Sequence, residues 1–188
     1  MKNKKLIIII ASLIAIVVAL SVTLVLVFGG SPIKKGNKMI DASANALTKV
    51  STLTEVYDGQ TAVYKYLHEV EIVDGNGQIT KATSKLNPSF EFSTVSEMEV
   101  VENIDKNGLL NFNLSEETVE ESKLKDGTLT LTLKADKIAT FLNTNELKTN
   151  GENGKAVFVF EKDLLISAEI TFILESGKEV VMTVECKY

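Results

Sequence analysis

An apolar run near the amino terminus constrains this chain more than any other sequence feature. Residues Leu6 to Phe28 contain Ser12, Ser21 and Thr23 as their only polar side chains and carry no charge. At about 1.5 Å per residue, a helix of these 23 residues reaches about 34 Å, which is enough to cross a hydrocarbon core of roughly 30 Å. A helix also satisfies its own backbone groups in lipid. The run therefore predicts a single N-terminal transmembrane helix.

A cleavable signal peptide is the alternative interpretation of the same run. Such peptides have an apolar region of about 7–15 residues followed by a small-x-small cleavage site. This run is longer, and Val27-Phe28-Gly29 matches the cleavage pattern poorly. We therefore expect residues 1–28 to be a cytoplasmic tip and membrane anchor, residues 29–38 a linker, and residues 39–188 an extracytoplasmic domain. The predicted location is the cell membrane, with a single span and the large domain outside, in a bacterial cell envelope.

The composition excludes several classes of function. All 20 basic residues are Lys, and the chain has one Cys (Cys186) and one His (His68). A disulfide within the chain and a structural zinc site of four Cys or His ligands are therefore excluded. Residues 29–188 carry 17 lysines against 25 acidic side chains, a net charge of −8, and no Arg. Binding to nucleic acid is not expected from such a chain, and no metal or cofactor is predicted.

The segment after the anchor has the pattern of an α+β domain. A spacing of three or four predicts a first helix that includes Ile40, Ala44, Leu47, Val50 and Leu53. Most of the remaining sequence alternates apolar and polar residues, which is typical of half-buried strands. We expect about seven antiparallel strands in a curved sheet, with the long first helix and short helices packed on one face.

The individual strands and short helices are placed by the same alternation. The segments predicted as strands are 61–73, one starting near Gln78, 90–100, 110–114, 129–133, and a closing meander from Ala156 to Cys186 with turns at 161–163 and 176–177. In the meander, Leu164, Ile166 and Ala168 are expected to share a face. One short helix is predicted to begin at Ser115-Glu116-Glu117, and another to run from Ala135 to Leu142 and end at Asn143.

Two stretches resemble the half-barrel lipoprotein-carrier superfamily of bacterial envelopes, the LolA/LppX-like domains. They are Thr128–Ile138, a strand entering a helix, and Ala156–Tyr188, a three-strand meander. The resemblance implies a sheet whose concave face holds acyl chains or other apolar ligands under a helical lid. The chain departs from these carriers in two respects: its predicted tether is a helix, and it has no Arg to match the conserved arginine of the soluble carrier.

Six residues are candidates to line a ligand cavity because they follow the apolar faces of predicted strands: Tyr64, Tyr66, His68, Phe90, Phe92 and Met98. Ordinary core packing is the alternative for each of them. Cys186 follows the face of Val180, Met182 and Val184 and is expected to be a small buried hydrophobe. The glutamates at 116, 117, 120 and 121 are expected to form a solvated acidic face.

The function expected from these features is a membrane-anchored extracytoplasmic binding domain that holds a lipid or other apolar ligand on the concave sheet face. A structural or interaction module of the cell envelope, without a ligand cavity and with another envelope protein as its partner, is the alternative. The sequence has no glycine-rich phosphate loop, no HExxH and no Gly-x-Ser-x-Gly elbow. We therefore do not expect an enzyme, and we predict no catalytic residues.

Overall fold

The computed structural model describes residues 30–73, 78–87, 93–98, 106–145 and 147–188. The chain begins with helix α1 (Pro32–Ala46) and includes a short helix α2 (Ile138–Phe141) that follows a 3-10 turn at Ala135–Lys137. Another 3-10 helix spans Lys106–Leu110. The strands are β1 (Lys49–Asp58), β2 (Thr61–Val73), β3 (Gln78–Asn87), β4 (Ser93–Met98), β5 (Val119–Lys125), β6 (Thr128–Leu133), β7 (Gly154–Glu161), β8 (Leu164–Ile173) and β9 (Glu179–Lys187).

All the described strands belong to one antiparallel sheet in the order β4-β3-β2-β1-β9-β8-β7-β6-β5. The α+β class and the antiparallel sheet predicted from the sequence are therefore confirmed. The sheet has nine strands where about seven were expected. The two unexpected strands are β1 and β5, and the first part of each was assigned to a helix.

Helix α1 is shifted toward the amino terminus relative to the prediction. Pro32 occupies its first turn and the Ser31 hydroxyl accepts a hydrogen bond from the Lys34 N–H at 3.2 Å, so residues 32–38, assigned to a linker, are helical. The helix ends at Ala46, and the backbone is already extended at Leu47. Val50 and Leu53 therefore lie in β1, where alternating Thr and Val residues favour an extended chain.

Two further predictions about local structure were wrong. The segment 110–114 is not a strand, because Phe112 and Leu114 donate their N–H groups to carbonyls two residues back rather than to a neighbouring strand. These tight turns preserve an alternating pattern without forming a ladder. Ser115 begins a turn rather than a helix, since Thr118 and Val119 both donate to its carbonyl and the chain then enters β5.

The closing meander of β7, β8 and β9 is confirmed, with one correction to its faces. The pairing of β7 with β8 shifts between Val159 and Phe160. Because of this shift Leu165 is fully buried and Ile166 is 37% exposed, although Ile166 was expected to share a face with Ala168. The predicted helix from Ala135 to Leu142 is confirmed as the 3-10 turn followed by α2, which ends at Phe141 and is followed by a turn at Leu142 and Asn143, whose φ is +50°.

One face of β6 to β9 is covered by α1, α2 and residues 106–118, which precede β5. Leu129, Leu131 and Phe158 are fully buried there. The backbone of α1 comes close to the sheet at Gly36, where a Cβ atom would lie 2.5 Å from the Leu129 Cδ2 atom. The glycine therefore permits this helix to pack directly on β6.

Within the described ranges, no helix has both the length and the apolar character that a membrane span requires. The apolar run from Leu6 to Phe28 lies outside the described residues. The transmembrane helix therefore stays a prediction from the sequence.

Candidate apolar groove

A groove of about 550 Å³ lies on the inner face of the sheet, beside the helical layer. Its floor is formed by alternate residues of the adjacent strands β1 and β9 and by Phe172 and Leu174 at the end of β8. Its other wall is formed by two covering segments. One precedes β5 and contributes residues from Gly108 to Phe112, and the other follows α2 and contributes Leu142, Thr144 and Leu147. The lining residues are Thr52, Thr54, Val56, Gly108, Leu109, Asn111, Phe112, Leu142, Thr144, Leu147, Phe172, Leu174, Val180, Met182 and Val184.

Strand register explains why the floor is mainly apolar. In an antiparallel sheet, directly opposite residues point to the same face. Thr54 lies opposite Met182, which in turn lies opposite Ile170. Val56 lies opposite Val180, which lies opposite Phe172. The alternation in each strand therefore places a mainly apolar surface under the groove, interrupted by Thr52 and Thr54.

The covering segments are held together by their own contacts. The Asn113 N–H donates to the Phe141 carbonyl at 2.9 Å, and the Asn143 side-chain amide donates to the Asn111 carbonyl at 3.0 Å. The Phe112 ring packs against Phe141 and Phe158, with centroids 5.8 and 5.3 Å apart. These contacts position Leu109 and Leu142 over the sheet as part of the groove wall.

The groove lining carries no ionisable side chain among the described residues. Ten of its residues are aliphatic or aromatic, and the polar ones are three threonines and Asn111. Charged residues of β1 and β2 lie on the opposite face, where Lys65 Nζ is 2.7 Å from Glu55 Oε1. Lys49 pairs with Glu69 and Glu71 on that face, and hydrogen bonds to these carboxylates raise the pKa of the lysine.

The structure places three of the predicted cavity residues next to this groove. His68, Tyr66 and Tyr64 on β2 lie directly opposite Thr52, Thr54 and Val56 on β1, and so they point to the groove face. None of the three is in the groove lining itself. His68 is half-buried and Tyr64 is 39% exposed, so this part of the face is open compared with β8 and β9.

The other predicted cavity residues are not tested. Phe90 and Phe92 lie outside the described residues. Met98 is the last residue of β4 and pairs with Ala82 on β3. The whole set of six therefore stays a prediction, with three members placed on the groove face.

Burial determines the ionisation of His68 and Cys186, which both lie on the inner face. Removal of His68 from water lowers the pKa of its imidazole, which favours the neutral ring at pH 7. Burial raises the pKa of the Cys186 thiol to about 11. Cys186 is 7% exposed and is therefore an inert packing residue, as expected from its position in β9.

Sequence reasoning missed most of the groove. Thr52, Thr54 and Val56 alternate in a way that is typical of a strand, but the spacing of Leu47, Val50 and Leu53 suggested a helix over the same stretch. Val180 and Met182 were assigned to the correct strand without a role in binding. The covering segments are far from these strands in the sequence, so no local pattern brings them together.

Comparisons with known proteins give structural neighbours only. No protein-family model matches the chain, and no curated protein matches its sequence. Similar solved structures include LprF from Mycobacterium bovis, with 15% identity, 83% of this chain and 94% of that chain covered, and a TM-score of 0.37. LppX, a lipoprotein of Mycobacterium tuberculosis, has 10% identity, coverages of 82% and 93%, and a TM-score of 0.33.

A LolA superfamily protein from Nitrosomonas europaea is also similar, with 7% identity, coverages of 80% and 91%, and a TM-score of 0.26. The structural neighbours thus include the LolA/LppX-like proteins that the sequence resembles.

Proposed function

We propose that this protein is a membrane-anchored, extracytoplasmic binding domain that holds an apolar ligand in the groove between the sheet and its covering segments. The observation that carries this proposal is an open groove of about 550 Å³ with ten apolar residues and no charged one in its lining. Pockets for small ligands are commonly about 300–1,000 Å³ and mostly apolar, with few polar groups. The groove has these properties.

Several features support binding rather than catalysis. The described lining offers hydroxyls and one amide but no carboxylate, imidazole, thiol or amine that could act as acid, base or nucleophile. The anchor is supported by the uncharged run from Leu6 to Phe28 and by the start of α1 at Pro32, only a few residues later. The groove would therefore be held close to the membrane surface.

Apolar burial supplies the affinity in this proposal. Each methylene group removed from water contributes about 0.8 kcal/mol, and a tenfold change in affinity corresponds to about 1.4 kcal/mol. Lengthening a bound alkyl chain by two methylenes should therefore tighten binding roughly tenfold until the groove is filled. This dependence on chain length distinguishes a defined groove from weak adsorption to the surface.

Photolabelling of the full chain tests the proposal. The protein is placed in phosphatidylcholine nanodiscs with a monoacylglycerol that carries a diazirine in its 16-carbon chain, and adducts are mapped by mass spectrometry after irradiation. We expect adducts in the tryptic peptides that contain β8 and β9, which end at Lys178 and Lys187. Adducts confined to residues 1–29 would contradict the proposal, because they would report only the lipid bilayer.

Neighbouring residues of β9 provide a matched pair of variants. Met182 lines the groove, whereas Thr183 points to the opposite face of the same strand. A Met182→Lys substitution introduces a charge beside the ligand and should reduce labelling of β8 and β9 at least tenfold. Thr183→Lys should leave labelling unchanged, and circular dichroism should show the same fold for both. Equal labelling of the two variants would argue against occupancy of the groove.

A further inference from the structure

The inner face of the sheet changes gradually in polarity from β8 to β2. Three rows of directly opposite residues cross the four strands: Ala168–Val184–Thr52–His68, Ile170–Met182–Thr54–Tyr66 and Phe172–Val180–Val56–Tyr64. Each row begins with two apolar residues and ends on a ring that carries a hydrogen-bonding group. In two of the rows, a threonine lies between the apolar pair and that ring.

Exposure follows the same direction as polarity. Ile170 is fully buried and Val184 is 2% exposed, while Thr52 and His68 are half-buried and Tyr64 is 39% exposed. Four strands span about 14 Å, because adjacent strands are about 4.8 Å apart. An amphiphile of that length can therefore lie across the strands, with its chain over the groove residues of β9 and Phe172 at the end of β8 and its head over β1 and β2.

The polar end of these rows offers hydrogen bonds without charge. Within the described part of the chain, the hydroxyls of Thr52 and Thr54 form no hydrogen bond with another residue. The His68 imidazole stacks on Tyr66 with centroids 6.4 Å apart. A neutral imidazole has one donor and one acceptor, and each hydroxyl has both functions. Hydroxyl, ester and amide groups match this set.

We infer that the groove selects uncharged amphiphiles, whose neutral head group hydrogen-bonds to Thr52, Thr54 and His68 while the alkyl chain lies over β9 and β8. This inference rests on the proposed function and adds the class of ligand to it. An ionised carboxylate or ammonium at the same place would be partly desolvated without a partner of opposite charge among the described residues of the groove. Burial of an unpaired charge is costly, so such ligands bind less tightly.

Competition among amphiphiles with the same chain tests the inference. The photolabelling assay is repeated with monopalmitoylglycerol, palmitate and hexadecylammonium as competitors, each at a known mole fraction in the nanodisc. We expect the neutral competitor to halve labelling of β8 and β9 at a mole fraction at least tenfold lower than either ion. Equal potency of all three, or greater potency of an ion, would overturn the inference and leave the proposed function standing.

Failure of the proposed function has a different signature in the same experiment. If the groove binds no alkyl chain, the β8 and β9 peptides show no labelling for any competitor to reduce. If every competitor reduces labelling to the same extent, the groove is occupied. That result overturns the inference about the head group but not the proposed function. The two failures are therefore distinguishable from a single set of adduct maps.

Variants at the polar end of the rows identify the head-group contact. Thr52→Val and His68→Phe should each weaken competition by monopalmitoylglycerol roughly three- to tenfold, because each removes hydrogen bonds to the head group. Thr52→Ser retains the hydroxyl and should restore the wild-type value, which a merely structural role for the threonine would not predict.

The outer-face variant Ser51→Ala is the matched control, since Ser51 is in the same strand and points to the opposite face. Its competition profile should equal that of the wild type. If Ser51→Ala and Thr52→Val changed the profile equally, the effect would come from the strand as a whole and the head-group contact would be refuted.

Discussion

The substitution Ser43→Ala removes a hydroxyl that joins α1 to the sheet. Ser43 is fully buried, and its Oγ accepts a hydrogen bond from the Leu165 N–H at 2.7 Å. The same hydroxyl donates to the Met39 carbonyl at 2.6 Å. Leu165 lies where the pairing of β7 and β8 changes register, so the serine provides an acceptor at an irregular point of the ladder.

The magnitude follows from what the substitution leaves behind. A buried N–H that loses its acceptor costs about 1–3 kcal/mol, whereas the Met39 carbonyl keeps its place in the helix. Alanine is a better helix former than serine by about 0.5 kcal/mol, which offsets part of the loss. The net decrease in the free energy of unfolding should be about 1–2 kcal/mol, or a melting temperature lower by about 2–8 °C.

Urea unfolding of the full chain in detergent micelles, followed by circular dichroism, measures this decrease. Hydrogen exchange should also become faster at the start of β8, near Leu165. Asn45→Ala on the exposed side of the same helix is the control, and it should change stability by less than about 0.5 kcal/mol. A Ser43→Ala protein as stable as the wild type would refute the reasoning, since the Leu165 N–H would then have another acceptor.

Two further predictions concern buried chemistry and turns. Cys186, with its pKa raised to about 11 from the ordinary 9.0, should react with a thiol reagent at pH 8 about 100-fold more slowly than in the urea-unfolded chain. Because burial raises the pKa of Cys186 only in the folded state, the stability contributed by the neutral thiol should be complete below pH 9 and should be lost as the pH rises to about 11. The substitution Cys186→Ala should reduce this loss of stability. Gly127→Ala should cost about 2–4 kcal/mol in urea unfolding, because Gly127 has a φ of +75° and a Cβ atom would lie 2.6 Å from the Phe160 carbonyl oxygen. Gly59→Ala should cost only about 1 kcal/mol, since Gly59 has a φ of +61° but no atom lies within 4 Å of the added carbon. Equal losses of stability in the Gly127 and Gly59 variants would contradict this comparison.

The parts of the fold that the sequence predicts are those with an unambiguous local pattern. In β6, Leu129, Leu131 and Leu133 alternate with threonines and are all fully buried, as expected for a strand with one covered face. The segment around β1 was ambiguous, because its apolar residues match a helical spacing over the same stretch in which its threonines match a strand. Tertiary pairing with β2 and β9 resolves this ambiguity.

The groove is less predictable from the sequence than the strands are. Its floor depends on which strands become neighbours: β1 lies beside β9 although the two are more than a hundred residues apart in the chain. Its wall depends on Phe112 packing against Phe141 and Phe158. Alternation within β2 predicts that His68 and Tyr66 share one face of the sheet. Their position beside the groove follows only from the pairing of β2 with β1, which places them opposite Thr52 and Thr54.

The central claim is that an alkyl chain occupies the groove, and methionine methyl NMR tests it most directly. The full chain is labelled at its methionine methyl groups and titrated with monopalmitoylglycerol in nanodiscs. Met182 lines the groove, whereas Met39 packs against the core from α1 outside the groove lining. We predict that the Met182 methyl resonance shifts with saturation while that of Met39 stays in place. A Met182 resonance that does not move at a saturating mole fraction would contradict the account.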